Sequence, residues 1–506
     1  MTATIPQRPA MAAVSVWRLS RTEVQVGTLV FLLSLVARFQ TLLPGYSIDD
    51  FAPIVDDQPY PFAMLAAQGR ALLYYLHLGL NALGASPTHS GPLSVVVLTL
   101  ALVAVGLSAC RLWGASGFPE SLIVASLVAL HPYQSEVFTF RTTGLYLAIP
   151  LGCSFAALIT CTASRGRWIL SLVLLVCSLS LYQIVLNYLI MSMIFSLAFH
   201  FSRMEAAGRE FWPGFLSRLK LILAGTLIYY VSAYSISHLS GVALSDRAGF
   251  IGINALALRA KQVLDLYEMM FFRAEAMLPF ATKVLLLITL GLPIGAYLVT
   301  ALQNGTYASL RRVALSFALI FIVGLPLCIG MVLVLGAWWP VPRVLAQTGM
   351  FWAGSIAFVY RISRGPVQRA VLASVSLIIV SFIGISNHVF KDQLRVNMRD
   401  MATANRIVAR VEALPEFTST EYVVLSGGSY AYRSPITTMQ GDMNISALFA
   451  AWSKLPVLNE VSGYAFQPAS AGILVKANAF CETAPKWPAA GSVARIETGA
   501  VVCMEK

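Results

Sequence analysis

The sequence predicts a mainly α-helical protein that crosses a membrane many times and ends in a small α+β domain. Hydrophobic residues make up 58% of the 506 residues and charged residues only 11%, whereas a soluble globular domain has roughly 25% charged residues. Apolar runs long enough to cross a bilayer recur as far as residue 385, and the mean hydropathy is +0.73. The net charge of +12 does not indicate nucleic-acid binding, because most arginines lie in short loops between the apolar runs.

About eleven transmembrane helices are expected. The run 168–201 would measure roughly 50 Å as one helix, against a hydrocarbon core of about 30 Å, so it is expected to fold back near Tyr182 and Gln183. The expected spans are 24–43, 93–113, 122–130, 144–159, two within 168–201, 219–238, 279–300, 313–335, 344–360 and 371–385.

The charge distribution predicts the orientation of these spans. The arginine-rich short loops all fall on one side, which is the cytoplasmic side by the positive-inside rule. The N-terminus is then inside, and we expect no cleavable signal peptide, so the first apolar run is retained. This places the loop after the first span and the C-terminal domain on the outer side of the membrane.

Two domains are expected. Residues 1–388 form the transmembrane domain, in which 44–92 is the first external loop with an acidic motif and an interfacial helix. Residues 389–506 form the α+β domain, with a helix at 393–414 and strands at 422–425, 472–476 and 500–504. Cys481 and Cys503 can form a disulfide there if their strands are neighbours, and stay separate thiols if they are not.

The first external loop concentrates acidic residues directly after the first span. It contains Asp49, Asp50, Asp56 and Asp57, four of the 23 acidic residues. One interpretation is a plain solvated loop. The aromatic and aliphatic residues interleaved with the carboxylates favour a packed loop instead, and packing shifts carboxylate pKa values toward the range that suits a general base.

The motifs and their order resemble a known family. Asp49-Asp50 follows the first span, Gly69-Arg70 opens an amphipathic helix, and the run SLSLYQ ends in Tyr182-Gln183. This arrangement resembles the GT-C membrane glycosyltransferases and, more closely, the serotype-converting O-antigen glucosyltransferase family of enterobacteria and their phages. The resemblance covers most of the membrane region, whereas the tail matches only in its position.

The resemblance implies an inverting glycosyl transfer on the outer face of the bacterial cytoplasmic (inner) membrane, with the first external loop and the C-terminal domain in the periplasm. The donor would be a polyprenyl-phosphate sugar, with glucose as the first expectation, and the acceptor a lipid-linked O-antigen or similar surface polysaccharide. A cytoplasmic synthase and a flippase would supply the donor as functional partners. No cofactor and no metal ion are expected, since transferases that use polyprenyl monophosphates generally do without one.

Each candidate residue has a role in that chemistry. Asp50 would take the proton of the attacking hydroxyl, with Asp49 as its partner or as an acceptor-binding group. Arg70 and Arg343 would bind the leaving phosphate. The other candidates for substrate binding, each with a structural role as the alternative, are Tyr182, Gln183, Asp56, Asp57, Glu136 and Arg141.

Two other classes of protein are also compatible with the sequence. A polytopic translocator of lipid-linked glycans would place polar residues or broken helices near the middle of the bilayer, whereas the charges here gather at the outer face. A non-catalytic membrane assembly protein would not require a packed acidic loop.

Overall fold

The computed structural model describes residues 18–43, 45–51, 59–86, 89–161, 164–202, 208–303, 307–428 and 443–505. Most of these residues are helical. The helices are α1 Arg21–Arg38, α2 Phe62–Ala67, α3 Ala71–Ala82, α4 Gly91–Trp113, α5 Phe118–Leu130, α6 Ser135–Thr139, α7 Arg141–Thr160, α8 Arg165–Leu181, α9 Val185–Phe201, α10 Gly208–Leu239, α11 Leu256–Phe271, α12 Phe280–Gln303, α13 Tyr307–Ala318, α14 Leu325–Leu327, α15 Thr348–Ile362, α16 Gly365–Glu412, α17 Lys454–Ser462 and α18 Ala471–Thr483. The strands are β1 Tyr422–Ser426, β2 Val493–Ile496 and β3 Gly499–Cys503.

The structure does not confirm eleven spans. Among the described residues, seven helical stretches are long and apolar enough to cross a membrane. Each of the other four expected spans forms a helix, but α5, α8, α9 and α15 have only 13 to 17 residues. At 1.5 Å per residue such helices measure about 20–26 Å, less than the hydrocarbon core. Most residues of α5, α9 and α15 are buried among the other helices, so these three belong to the protein core.

The long apolar run is interrupted where its length requires a break. Helix α8 ends at Leu181 and α9 begins at Val185, and Tyr182 has an extended backbone between them. The predicted break near Tyr182 and Gln183 is confirmed. Because of this break, the side chains of Tyr182 and Gln183 lie outside the two helices, where they can contact other segments of the chain.

Helix α16 continues from the last apolar run into the tail. Its 48 residues correspond to about 72 Å, more than twice the hydrocarbon core. Its C-terminal half is attached to the tail through its own residue Asp400, whose carboxylate accepts hydrogen bonds from the Ser446 hydroxyl and the Ala447 backbone N–H at 2.6 and 2.7 Å. The helix expected at 393–414 is therefore not a separate element.

The tail contains a three-stranded sheet with the order β1-β3-β2. Strand β1 pairs parallel to β3, and β2 pairs antiparallel to β3. The expected strand at 472–476 is wrong, because this segment lies inside α18, which begins at the capping residue Ser470. Cys481 of α18 and Cys503 of β3 form a disulfide.

The acidic loop shares a hydrophobic core with the tail. Phe51 is almost fully buried, and it packs among residues of α16, of the sheet and of α17. Tyr46 packs on the same core, and Asn397 of α16 exchanges two hydrogen bonds with its backbone, at 2.6 and 2.8 Å. The loop is therefore packed rather than solvated over residues 45–51.

Candidate active site

Asp50 is enclosed by hydrogen-bond donors at the start of α7. Its carboxylate accepts hydrogen bonds from the backbone N–H groups of Arg141 and Thr142 at 3.1 and 3.3 Å, and from the Thr142 hydroxyl at 3.3 Å. The backbone N–H and the hydroxyl of Ser47 donate to it at 2.8 and 2.9 Å. The first N–H groups of a helix lack partners within the helix and carry partial positive charge. Asp50 therefore caps α7 from a distant part of the chain.

The environment of Asp50 has opposing effects on its acidity. Burial is the larger effect and raises the pKa of Asp50, while the hydrogen bonds from Ser47, Arg141 and Thr142 act to lower it. Its side chain is 0% exposed. A general base must come within hydrogen-bond reach of the proton that it takes, so this geometry favours an anchoring role for Asp50.

Asp49, the neighbouring carboxylate, faces the tail domain. Its Oδ1 accepts a hydrogen bond of 3.0 Å from the indole N–H of Trp452, a tail residue that is 58% exposed. Its backbone carbonyl accepts a hydrogen bond of 3.0 Å from the Tyr60 hydroxyl. Asp49 is half-buried, so it keeps access to solvent that Asp50 lacks. Asp56 and Asp57 lie outside the described residues.

Arg141 holds the acidic loop from the opposite side. Its guanidinium donates to the carbonyl oxygens of Leu43 and Gly45 and lies 5.2 Å from the centre of the Tyr46 ring. Together with the Asp50 contacts, these bonds fix the loop against α7 at both ends. Arg141 thus belongs to the support of the loop.

The two dipeptides singled out in the sequence meet in one cluster. Arg70 Nε donates to Gln183 Oε1 at 2.9 Å, and the Arg70 guanidinium lies 4.3 Å from the centre of the Tyr182 ring. Gln183 Nε2 donates to the Gln68 carbonyl and to the Tyr229 hydroxyl, both at 2.7 Å. Segments that are 113 residues apart in sequence are thus joined by their polar side chains.

Gly69 permits the close approach within this cluster. Its φ is +69°, in the left-handed region, which costs non-glycine residues roughly 1–2 kcal/mol. A Cβ at this position would lie 2.5 Å from the Tyr229 hydroxyl and 3.1 Å from Gln183 Nε2. A side chain there would therefore push apart the groups that position Arg70.

Arg70 lies at the edge of a large apolar cavity, which we name the Arg70 cavity. Its volume is about 730 Å³. Its polar lining includes Arg70, Gln183, Asn187, Tyr229 and Arg247, and the remainder is mostly aliphatic and aromatic side chains of α9, α10 and the 319–344 segment. No Asp or Glu side chain lines it among the described residues. A cavity of this kind suits an elongated apolar molecule with an anionic group at one end.

Arg247 is brought beside Arg70 by backbone contacts. The Ser245 N–H donates to the Ala67 carbonyl at 2.9 Å, which joins this loop to the helix that precedes Gly69. The Arg247 guanidinium lies 5.6 Å from the centre of the Trp339 ring. In the described part of the chain, neither Arg247 nor the terminal nitrogens of Arg70 have a carboxylate partner.

The electrostatics of Arg70 reflect these neighbours. Burial is the main cause that lowers the pKa of Arg70, and the positive charges of Arg343 and Arg247 lower it further, while Tyr182 and Tyr229 act in the opposite direction. Positive charges that repel one another at an apolar surface are stabilised by an anion. The cluster is therefore suited to a phosphate group.

Arg343 has a different surrounding from Arg70. Its guanidinium forms an ion pair of 2.7 Å with Glu136, whose side chain is 0% exposed, and its backbone N–H donates to the same carboxylate at 2.6 Å. It also lies 4.9 Å from the centre of the Phe140 ring. Glu136 and Arg343 meet each other as a buried pair, which favours a structural role for both.

These features define a membrane-embedded protein with an arginine-bordered apolar cavity and a buried acidic loop at the same end of its helical bundle. The family model described as Glucosyl transferase GtrII matches residues 40–359, more than half of the chain. The chain therefore belongs to this family, and the resemblance to serotype-converting O-antigen glucosyltransferases is confirmed. Membership implies a glycosyltransferase that acts on membrane-associated glycans. Neither a search of curated proteins nor a search of solved structures finds a match.

Three residues of the site were not predicted from the sequence. Arg247 is an isolated arginine in a polar segment, Tyr229 lies in an apolar run, and Trp452 lies in the tail. The only signal for Arg247 was its place in a polar segment between two expected spans. Among the described residues, no group of three or more His, Cys, Asp or Glu side chains is placed to hold a metal ion.

Replacing Gly69 by alanine should disrupt the site. We expect Gly69→Ala to lower sugar transfer at least tenfold, because the added Cβ meets the Tyr229 hydroxyl and the left-handed backbone becomes strained. Transfer to membrane glycan in cells, normalised to the amount of protein in the membrane, measures this effect.

Gly79 provides the matched control. It lies in α3, and a Cβ there meets nothing within 4 Å, so Gly79→Ala should keep full activity. Adding Tyr229→Phe to Gly69→Ala removes the nearest clashing atom and should restore part of the loss. Normal activity of Gly69→Ala would contradict the proposed packing of the cluster.

Proposed function

We propose that this protein is an inverting glucosyltransferase that uses a polyprenyl-phosphate sugar as donor. The acceptor is a lipid-linked O-antigen or similar surface polysaccharide, and transfer takes place on the outer face of the cytoplasmic membrane. The observation that carries this proposal is the Arg70 cavity: an apolar space of about 730 Å³ with two arginines in its lining.

The shape and charge of the cavity match the two parts of such a donor. The isoprenoid chain is apolar and gains free energy by burying its surface against the side chains of α9 and α10. The phosphate carries negative charge and requires cations or hydrogen-bond donors when it leaves water. Arg70 and Arg247 supply both. A neutral lipid would leave the charges of these two arginines without an anionic partner.

The reaction can be written with its atoms balanced. An acceptor hydroxyl attacks the anomeric carbon of the donor sugar from the face opposite the phosphate, and a new C–O bond forms. The bond between that carbon and the phosphate oxygen breaks, and the polyprenyl phosphate leaves with the electron pair. The hydroxyl proton passes to a base. The sugar is therefore transferred with inversion.

Arg70 and Arg247 stabilise the phosphate as its charge increases. Charge-assisted hydrogen bonds to preorganised donors contribute most where negative charge develops in the transition state. Arg70 is held by Gln183 and Tyr182 before any substrate binds, so it needs little rearrangement. In this account Arg343 holds Glu136 and shapes the local potential, and Arg247 takes the role first expected of Arg343.

Asp49 is the better candidate for the base. Both carboxylate oxygens of Asp50 already accept hydrogen bonds from the start of α7 or from Ser47. A substrate hydroxyl would have to replace one of these donors. Asp49 is half-buried and is contacted by an exposed tryptophan of the tail. We propose that Asp50 positions Asp49, and that the tail helps to enclose the acceptor.

The orientation of the chain is part of the proposal. The arginine-rich loops favour a cytoplasmic N-terminus, and this places the acidic loop and the tail in the periplasm. The Cys481–Cys503 disulfide supports this side, because disulfides persist in oxidising compartments. A donor made in the cytoplasm then needs a flippase to reach the site, which makes a synthase and a flippase the functional partners.

Lysine substitutions test the phosphate site. Lysine keeps the positive charge but loses the planar fork of donors that binds phosphate. We expect Arg70→Lys and Arg247→Lys each to reduce transfer about tenfold or more. The measurement is incorporation of labelled glucose into lipid-linked glycan by membranes that contain a polyprenyl-phosphate glucose donor.

Arg273 is a suitable control for these substitutions. It is 58% exposed and pairs with Glu268 on α11, so Arg273→Lys should leave transfer unchanged. If both cavity variants were as active as the control, the leaving phosphate would not be bound by these two arginines.

Asparagine substitutions separate the roles of the two aspartates. Asp49→Asn removes the proposed base, so activity should fall by about 10²–10⁴ with an unchanged amount of folded protein. Asp50→Asn places an amide N–H₂ among donors, so we expect loss of activity together with lower thermal stability. Transfer rates and the unfolding temperature of the purified protein measure the two effects.

Glu460, an exposed tail residue, serves as the control for loss of one negative charge. Glu460→Gln should match the wild type in both measurements. An inactive but fully stable Asp50→Asn variant beside an active Asp49→Asn variant would reverse the assignment and make Asp50 the base.

A further inference from the structure

A second opening lies at the junction of α12 and α16, apart from the Arg70 cavity. Its volume is about 520 Å³, within the roughly 300–1,000 Å³ of small-molecule sites. Pro279, Phe280 and Ile385 give it apolar walls, and its only two polar side chains among the described lining residues are Glu275 and His388. We name it the Glu275 groove.

Glu275 is held in place by buried partners. The Tyr133 hydroxyl donates to its Oε1 at 2.6 Å, and Lys283 Nζ lies 3.7 Å from the same oxygen. The side chains of Glu275 and Lys283 are only 7% and 2% exposed. Lys283 is in turn fixed by the backbone carbonyls of Met269 and Arg273. Glu275 differs from the fully buried Asp50 and Glu136 because it also lines the groove. The accessible part of its fixed carboxylate can therefore accept a hydrogen bond from a ligand.

The other polar residue of the groove, His388, is also held by charged neighbours. His388 Nε2 lies 3.2 Å from Asp392, one turn further along α16, and Arg395 pairs with the same carboxylate at 3.1 Å. The imidazole is 54% exposed. The groove thus presents a carboxylate on one side and an oriented imidazole on the other.

The buried segment 131–142 connects this groove to the candidate active site. Tyr133 binds Glu275, Glu136 binds Arg343, and the N–H groups of Arg141 and Thr142 bind Asp50. The hydroxyls of Ser135 and Ser386 are 3.2 Å apart, which fixes the same segment against α16 two residues before His388. The groove and the acidic loop therefore lie at the same end of the bundle.

The chemistry of the groove selects its ligand. No lysine or arginine side chain is among the described residues that line the groove, so it lacks the fixed cations that the donor phosphate or a lipid phosphate requires. Sugar rings combine hydroxyl donors with apolar C–H faces, and these fit a carboxylate and an imidazole between apolar walls. We propose that the Glu275 groove binds a neutral sugar residue of the lipid-linked acceptor glycan. This inference rests on the proposed glycosyl transfer.

Steady-state kinetics test the groove through the acceptor. The full-length protein is assayed with polyprenyl-phosphate glucose and with lipid-linked polysaccharide extracted from the expressing cells. Glu275→Gln should raise the KM for polysaccharide about tenfold, because a hydroxyl bonds less strongly to a neutral amide than to a carboxylate. The KM for the donor should not change. His388→Ala, on the exposed wall, should raise the acceptor KM by a smaller factor without affecting folding.

Glu268→Gln is the matched control. Glu268 lies on the neighbouring helix α11, is 50% exposed and pairs with Arg273, so its variant should keep both KM values. Acceptor KM values within twofold of the wild type in both groove variants would overturn the inference, provided that the wild type transfers glucose.

A direct occupancy measurement keeps this inference distinct from the proposed function. Ala274 is exposed and lines the groove, so Ala274→Cys in detergent-solubilised protein should react with a polar maleimide. We expect the extracted polysaccharide to slow this labelling at least threefold. Protection without any glucose transfer would support the groove and contradict the proposed function. Transfer without protection would contradict the groove alone, and the absence of both would contradict both.

Discussion

The contact between the Asp50 carboxylate and the start of α7 determines how the rest of the site is arranged. Five hydrogen bonds reach this side chain, two of them from helix N–H groups that have no partner within the helix. The contact holds the acidic loop against the bundle, so that Phe51 enters the core of the tail and Asp49 meets Trp452. One buried carboxylate thereby links the helical bundle to the loop, and through the loop to the tail domain.

The arginines divide into two groups by their partners. Arg111, Arg343 and Arg361 pair with Glu23, Glu136 and Glu120 within 2.7 Å, and such pairs hold helices together. Arg70 and Arg247 instead line an apolar cavity without a carboxylate partner among the described residues. Placing two positive charges beside an apolar surface costs free energy unless an anion arrives. This difference separates the structural arginines from those proposed to bind substrate.

The sequence predicted the structure where a physical limit, such as helix length, applied. It did not predict contacts between side chains that are far apart in the chain. The run 168–201 was too long for one span, and the break at Tyr182 follows from that limit. An apolar stretch of 13 to 17 residues, by contrast, does not reveal whether it faces lipid or the protein core. The partnership of Glu136 with Arg343 spans 207 residues, and the choice between adjacent Asp49 and Asp50 depends on which of them meets α7. The segment 472–476 has the composition of a strand, yet it is helical, because Ser470 caps the helix just before it and the helix continues beyond it.

The most direct test of this account is glucosyl transfer by the purified protein in liposomes. The liposomes contain only synthetic polyprenyl-phosphate glucose and extracted lipid-linked polysaccharide, with no nucleotide sugar. We expect the polysaccharide to gain glucose with inverted anomeric configuration, and one polyprenyl phosphate to be released for each glucose transferred. Absence of transfer under these conditions, together with transfer when a nucleotide-linked or pyrophosphate-linked sugar replaces the donor, would contradict the assignment of the Arg70 cavity as the site of a polyprenyl monophosphate.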